Sequence, residues 1–547
     1  MRHSFYRGRY FFQMFQQHGY KTHEFRKWVS SNFNTKIITT EHLLLNLIIL
    51  MVIYFFAERI TFVASVIIMA VFTVFWFGSV HIYRPEKDKK PLVITNRVKR
   101  LLITFLILIA PIYYFIFSFS FSQELFYMNR AIRESAGNFI TADPYFLTFL
   151  LALADILVLF LIFPAAWLMK PVENQIQEGF KKQAREKLAS MPGLKVIAIT
   201  GSYGKTSTKF VIDAFLKERY RVCTTPGSFN TPMGICKVIN NDLETNHQVL
   251  ILEMGARYSG NIKELCDIAR PDISVITNVG ISHLETFGSK EAVANEKATL
   301  ARELKPGGKL ILNGDDPVVL QMGKSRTDIK RIITGKNGSV RAENIETGPA
   351  GTSFTLKWLD EDGNEEGSEK ITTSLLGIHN VQNILLGAAT ARELNLRLPT
   401  LQIAASQMKP VEHRLELKQR NGITVIDDAF NSNPKGAKNA IEVLASFSSG
   451  RKVLITPGMI ELGDLEDEEN YKFGEHIAGH EIDLAILVGP ERTISIKEGI
   501  ESARKSDKPE IRIADTLFEA NEIMSGFVKQ GDVVLYENDL PDSYNES

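Results

Sequence analysis

The residues best placed to do chemistry lie between Val196 and Lys209, in the stretch VIAITGSYGKTSTK. Gly201, Ser202, Tyr203 and Gly204 make a tight turn, and Lys205, Thr206 and Ser207 follow it directly. Glycines let backbone N–H groups approach phosphate oxygens, and a helix that begins just after them adds partial positive charge. Lys205 would reach the β- and γ-phosphates, and Thr206 would hold Mg2+. Ile199 stands where the general phosphate loop has its first glycine, so the pattern that remains is the shorter G-x-x-G-K-T-S. The bland alternative is a chance Gly-Lys-Thr turn, and the flanking elements weigh against it. The turn predicts ATP chemistry.

Those elements are a strand and a helix. Val196 to Ile199 is an apolar, β-favouring run that reads as a buried strand, and Phe210, Ile212, Ala214 and Phe215 have helical spacing. Downstream, Thr224 to Gly234 is a polar loop rich in proline and glycine. Val249 to Leu252 is a second apolar strand, and Glu253 at its end suits Mg2+ coordination. Ile273 to Thr277 is a third, ending in Asn278, with His283 soon after. Lys309 to Leu312 is a fourth, ending in Asn313-Gly314-Asp315-Asp316. Polar residues recurring at strand C-terminal ends mark where ligands sit in a parallel α/β sheet. Taken singly, His283 would more often be structural and Lys297, at a helical position, a solvated lysine.

The chain has 547 residues, enough for about three domains. Lys and Arg balance Asp and Glu at 63 each, so charge gives no argument for a nucleic-acid partner. Cys223, Cys236 and Cys266 form no C-x-x-C pair, which excludes a zinc framework or disulfide scaffold and fits a reducing setting.

Before Lys170 the composition changes. Four apolar segments run from Leu43 to Ala57, Ile60 to Ile82, Leu101 to Phe121 and Tyr145 to Met169. The last three are long enough to span a membrane, and the first needs Thr39 to His42 to complete a span. Basic residues crowd the N-terminal arm, the loop from Arg84 to Arg100 and the region after Lys170. With four spans all three lie on one side, so both ends are expected in the cytoplasm. The expectation is therefore a multi-pass protein of the cytoplasmic membrane. Asp155, inside the fourth segment, is a functional candidate or a helix–helix contact. Asn174 to Leu188 reads as a charged linker helix, ended by Pro192-Gly193.

From about Gly193 onward the chain resembles the Mur ligases, the ATP-dependent ligases that build the peptidoglycan stem peptide, and most of all the branch that adds D-alanyl-D-alanine. The resemblance rests on GSYGKTS, TPGSFNTPMG, EMGA, ITNVGISHLETFGS with Lys297 beyond it, NGDD, GIHNVQN (Gly377 to Asn383), IDDAFNSNP (Ile426 to Pro434) and PGMIELG (Pro457 to Gly463). It implies ATP and two Mg2+ ions as cofactors. Gly204, Lys205 and Thr206 would cradle phosphates, Thr206 and Glu253 would bind one Mg2+, and His283 would help bind a second. Lys297 would be the family's carbamylated lysine, a cation converted into a carboxylate-like metal ligand. Asn313, Asp316 and Asn383 would lie by the adenine or ribose, with Arg414 and Asp428 closing from the C-terminal domain. Lys205, His283, Lys297 and Arg414 are the implied catalytic set.

The expected fold is a four-span helical region followed by two α/β domains, a central parallel-sheet ATPase and a Rossmann-like C-terminal domain. The expected boundaries are 1–42 (arm), 43–170 (spans), 171–192 (linker helix), 193–407 and 408–547. C-terminal strands are predicted at Thr424 to Ile426, Val453 to Thr456, Leu484 to Val488, Ile511 to Ile513 and Val533 to Tyr536, with helices over Pro434 to Ser446 and Glu468 to Ala478. Three departures from the family stand out. The domain that grips the UDP end of the precursor is missing, and the apolar segments stand in its place. After the GDVVL strand the family's Lys-Gly-Ser-like turn is replaced by Tyr536-Glu537-Asn538-Asp539. An acidic run, Asp464 to Glu469, follows the E-L-G motif, and Tyr471 stands about where the family often has a histidine. The expected activity is a membrane-anchored ligase joining an amino acid or dipeptide to an envelope-precursor carboxylate, with a lipid-linked acceptor as a candidate partner. A poly-γ-glutamate-type synthase and a non-catalytic ATP-binding scaffold are the alternatives. A transporter is disfavoured, because the apolar segments carry few polar residues for a substrate path.

Overall fold

The computed structural model describes residues 2–33, 37, 91–133, 144–281, 284–430 and 432–539. Two compact units divide the chain, residues 1–176 and residues 177–540.

The first unit is helical, with α1 (Arg2–Gln17), α2 (Thr22–Ser31), α3 (Asn96–Arg133) and the opening part of α4 (Pro144–Ala189). The N-terminal arm is a helical hairpin. Phe11, Phe12 and Phe15 recur at helical spacing and are buried with Phe25 and Trp28 against Leu101, Phe105, Leu159 and Ile162. The Phe25 and Trp28 rings stack at 5.7 Å. The two apolar segments expected over Leu43 to Ala57 and Ile60 to Ile82 lie outside the described residues. The third falls in α3 and the fourth in α4. Among the described residues one stretch, Asn96–Phe115, is long and apolar enough to cross a membrane. The expected linker helix is not a separate element. Its residues continue α4 to Ala189, with Pro164 and Pro171 inside the helix; a proline removes one backbone hydrogen bond, and the turns around it hold the helix together.

The second unit holds two sheets. The first has nine strands: β1 (Lys195–Thr200), β2 (Val222–Thr224), β3 (Val249–Glu253), β4 (Ile273–Ile276), β5 (Lys309–Asn313), β6 (Lys330–Thr334), β7 (Val340–Gly348), β8 (Gly351–Leu359) and β9 (Glu365–Thr373), in the order β2-β3-β1-β4-β5-β6-β7-β8-β9. Side-chain alternation in β1 splits its core. Ile197 and Ile199 face Val211 and Phe215 of α5 (Lys205–Lys217), whereas Val196 and Ala198 face a second cluster with Ile262, Leu265 and Leu300. A strand buried on both faces reads as a continuous apolar run, which is why the sequence revealed it.

The expectation of a wholly parallel central sheet needs correction. Strands β2 to β6 are parallel, but β7, β8 and β9 pair antiparallel. Only Pro349 and Ala350 separate β7 from β8, far too few for a crossover.

The second sheet contains β10 (Glu416–Arg420), β11 (Ile423–Asp428), β12 (Lys452–Thr456), β13 (Leu484–Val488), β14 (Glu510–Ala514) and β15 (Val533–Glu537), ordered β10-β11-β15-β12-β13-β14. All its pairings are parallel except β10 with β11. Arg257, beyond β3, reaches across to Glu461 at 2.9 Å and ties the two sheets' loops together.

Candidate active site

The strand ends β1, β3, β4 and β5 converge where the glycine turn meets α5. A cavity of about 700 Å3 opens there, lined by Tyr203, Gly204, Thr206, Ser207, Asn313 and Asn383 on one side and Arg414 and Asp428 on the other.

The turn is held by backbone geometry and by one asparagine. Gly204 has φ 76° at the head of α5, and a Cβ there would sit 2.9 Å from Asn383 Oδ1. At Gly201 a Cβ would fall 1.9 Å from Thr277 Oγ1. Gly201→Ala is therefore expected to lower stability by about 1–3 kcal/mol through forced displacement of the turn. An unchanged urea midpoint would refute that. Asn278 accepts from Tyr203 N and donates to Tyr203 O, both at 2.9 Å, so its side chain pairs with the turn as a strand would. Ser202 N donates to Asn278 O at 3.0 Å.

Lys205 folds back over the turn, donating to Gly201 O at 2.8 Å and Ser202 O at 3.1 Å. Burial holds its pKa below the ordinary lysine value, with Glu253 opposing and Arg414 adding to the shift. Thr206 Oγ1 donates to Glu253 Oε2 at 2.8 Å, and Asn230 Nδ2 donates to Glu253 Oε1 at 3.0 Å. Lys209, fully buried, lies 3.5 Å from Glu253 Oε2 and also donates to Gly227 O. Sequence alone does not single out Asn230 or Lys209. Lys209 follows Lys205 by one helical turn, on the face that meets β3, and that spacing was the available signal.

Lys297 sits on the helix Lys290–Arg302 and is only 3 % exposed. Burial pulls its pKa down to about 7; the nearby Lys205 charge adds to the shift and Glu296 opposes it. Glu296 itself accepts from Gly260 N at 2.8 Å and Ile262 N at 2.7 Å, capping the earlier helix Asn261–Ile268. His283 lies outside the described residues.

The remaining predicted residues divide. Asn313 Oδ1 accepts from Gln382 Nε2 at 2.6 Å, and Asn383 bridges Thr208 and Asn380, both asparagines lining the cavity. Asp316 does not line it. Its two oxygens accept from the backbone N–H of Val279, Val318 and Val319, which fixes the loop after β5.

Arg414 enters from the second sheet's side, its guanidinium carbon 4.4 Å from the Phe430 ring centroid. Its neighbours His413 and Leu415 have φ 58° and 48°, left-handed backbone that non-glycine residues rarely adopt. Burial raises the Asp428 pKa to about 6 against the opposing Arg414 charge, and its Oδ1 accepts from Leu415 N at 3.2 Å. His379 also lines the cavity and was not picked out, although it lies within GIHNVQN. Its Nδ1 is buried with no hydrogen-bond partner, and burial lowers its pKa to about 4.

This donor set suits a magnesium nucleotide. A left-handed glycine heads a helix, a lysine lies against the turn, and a hydroxyl pairs with a carboxylate. Mg2+ retains waters and phosphate oxygens, so two protein oxygens such as Thr206 Oγ1 and a Glu253 carboxylate oxygen are a sufficient protein share. Among the described residues no group of three or more His, Cys, Asp or Glu could hold a metal by itself.

Residues 199–391 match the family model for the Mur ligase middle domain, and residues 413–536 match that for the Mur ligase, glutamate ligase domain. The chain belongs to the Mur ligase family. Among curated Mur ligases it is 34 % identical over 299 residues to the UDP-N-acetylmuramoyl-tripeptide–D-alanyl-D-alanine ligase of Bacillus subtilis, covering 54 % of this chain and 63 % of that protein. It is 33 % identical over 365 residues to the ligase of the same name from Mycobacterium tuberculosis, covering 63 % and 70 %. The chain thus spans less than two thirds of the Bacillus relative. Solved Mur ligases agree. MurF from Acinetobacter baumannii superposes with a TM-score of 0.60 at 25 % identity, covering 67 % of this chain and 78 % of that one. MurF from Thermotoga maritima in complex with ADP gives 0.59 at 27 %, covering 66 % and 80 %.

Proposed function

We propose that this Mur ligase is an ATP-dependent amide ligase of peptidoglycan-precursor synthesis, resembling the D-alanyl-D-alanine-adding enzymes. The carrying observation is that Thr206 and Arg414 line one cavity from two sheets, with Glu253 hydrogen-bonded to Thr206 and Lys205 close enough to feel the charges of both Glu253 and Arg414. When bound with magnesium, ATP would supply the phosphoryl group that turns a poor electrophile, a carboxylate, into an acyl phosphate open to an amine. The chain's own part is positioning and charge. Lys205 and Arg414 would face the phosphates, and Thr206 and Glu253 would hold the metal. Asn313 and Asn383 would hold the nucleoside, with Asp428 keeping Arg414 in place. Closure of the second sheet's domain would exclude water from the activated acid.

The front of the chain supports a membrane-attached form with the ligase domains in the cytoplasm. Four apolar segments occupy the stretch before the family match, and basic residues flank them on one side. A lipid-linked acceptor fits such an enzyme as well as a UDP-linked one.

The full-length protein in detergent should release ADP only when both an acceptor carboxylate and an amine are present, D-alanyl-D-alanine being the first amine to test. Glu253→Gln should lower that rate by about 100-fold or more. Primer-lengthening turnover driven by glutamate would instead favour a polymerase. Cellular function unaffected by loss of Lys205 would favour a scaffold.

A further inference from the structure

The helical unit, residues 1–176, contains a second cavity, of about 480 Å3, far in composition from a nucleotide site. Phe15, Leu101, Phe163 and Trp167 give its lining apolar surface, and Lys21, Arg97 and Lys170 line it as well. Glu173, 8 % exposed, is the acidic residue lining it. That carboxylate is already shared. Arg100 Nε donates to Glu173 Oε1 at 2.7 Å, and Arg97 Nε lies 3.7 Å from Oε2. Two guanidiniums face this one carboxylate, and Lys21 and Lys170, both exposed, line the same cavity. The Arg97 guanidinium stacks 4.1 Å from the Tyr20 ring centroid, so it is held in place at the rim.

The apolar side does not end at the cavity. Trp167 is 71 % exposed, and along α3 Ile103, Leu106 and Ile107 are each more than half exposed. These three belong to the stretch Asn96–Phe115 that is long and apolar enough to cross a membrane. A free anion would satisfy the cations and leave the aromatic wall bare, whereas an uncharged hydrocarbon would do the reverse. Aromatic rings and basic residues gathered at the end of an apolar helix mark the headgroup level of a bilayer.

We propose that this cavity binds a phosphate-headed lipid, with the phosphate among Lys21, Arg97 and Lys170 and the hydrocarbon chain along Trp167 and the exposed face of α3. The site is independent of nucleotide chemistry, and its test reads no ATP turnover.

The full-length chain would be reconstituted in nanodiscs whose phosphatidylcholine is doped with brominated-chain phosphatidic acid or brominated-chain phosphatidylcholine. Bromine quenching of tryptophan fluorescence reports chain contact, and Trp167→Phe identifies the share due to that residue. Quenching of Trp167 should be stronger with the phosphatidic acid at equal mole fraction. Lys21→Gln with Lys170→Gln should weaken that preference by about 25-fold, taking about five-fold per basic residue near a membrane surface. Circular dichroism of the double variant should match the parent, because both lysines are exposed. Inorganic phosphate should not compete at millimolar concentration. Equal quenching by the two lipids, full preference in the folded double variant, or displacement by inorganic phosphate alone would each overturn the proposal.

Discussion

Lys205→Ala is expected to reduce ATP-driven amide formation by about a thousand-fold, close to 4 kcal/mol of transition-state stabilisation, while the protein stays folded. Among the described residues the Lys205 amine donates to two backbone carbonyls, of Gly201 and Ser202. Burial lowers its pKa despite the opposing charge of Glu253, so the cation is a net desolvation cost to the fold. Removing it relieves a desolvated charge, so the melting temperature should hold or rise. The turn keeps its shape by other means, through Asn278 on Tyr203 and the close contact of Gly201 with Thr277. The loss should therefore appear in kcat, with near-parental unfolding by calorimetry. A variant that retained a tenth of the parental rate would remove Lys205 from the chemistry. A variant that lost rate only as it lost folded protein would make the lysine structural.

The sequence exposed those parts of the fold in which local signals and tertiary burial agree. Strands β1, β3, β5 and β12 are buried on both faces apart from an occasional edge residue, and each was legible as an apolar run within about a residue of its observed ends. Strand β9, EEGSEKITT, was not. It is largely exposed, its pairing comes from β8, and its composition reads as loop. The three-residue β2 is too short to signal at all. In the hairpin α1–α2, the aromatic spacing was present but lay among arginines and glutamines. At the site, the glycine turn and Glu253 announced themselves because motif and strand end coincide. Lys209 and Asn230 did not, since their meaning depends on both reaching Glu253, and that contact is tertiary. Asp316 adds a second role that sequence does not show, since its two oxygens accept from backbone amides and fix the loop after β5.

Lys297→Met should abolish ligase activity and at the same time make the protein more stable near neutral pH. The amine's pKa is pulled to about 7 from 10.5, first by burial and then by Lys205. Below pH 7 both folded and unfolded chains carry the proton, and the folded protein bears the whole cost of a buried cation. Between pH 7 and 10.5 the unfolded chain still holds the proton and the folded one has released it, so wild-type stability rises with pH across that window. Methionine removes this dependence. Its stabilising effect should be largest below pH 7, on the order of 4 kcal/mol, and fade towards pH 10. A pH-independent difference in urea midpoints would show that the charge is not the cause. The same shift bears on chemistry, because only a neutral amine adds carbon dioxide, and lowering the pKa towards neutrality makes that form accessible at physiological pH. A carbamate beside Lys205 would exchange a repelled cation for an attracted anion. Bicarbonate should accordingly stabilise the parent and leave Lys297→Met unaffected. Labelled carbon dioxide should give a carbamate carbon signal in the parent that the variant lacks, and activity in the parent should rise as that signal grows. An active parent with no carbamate signal would confine Lys297 to a neutral amine's role.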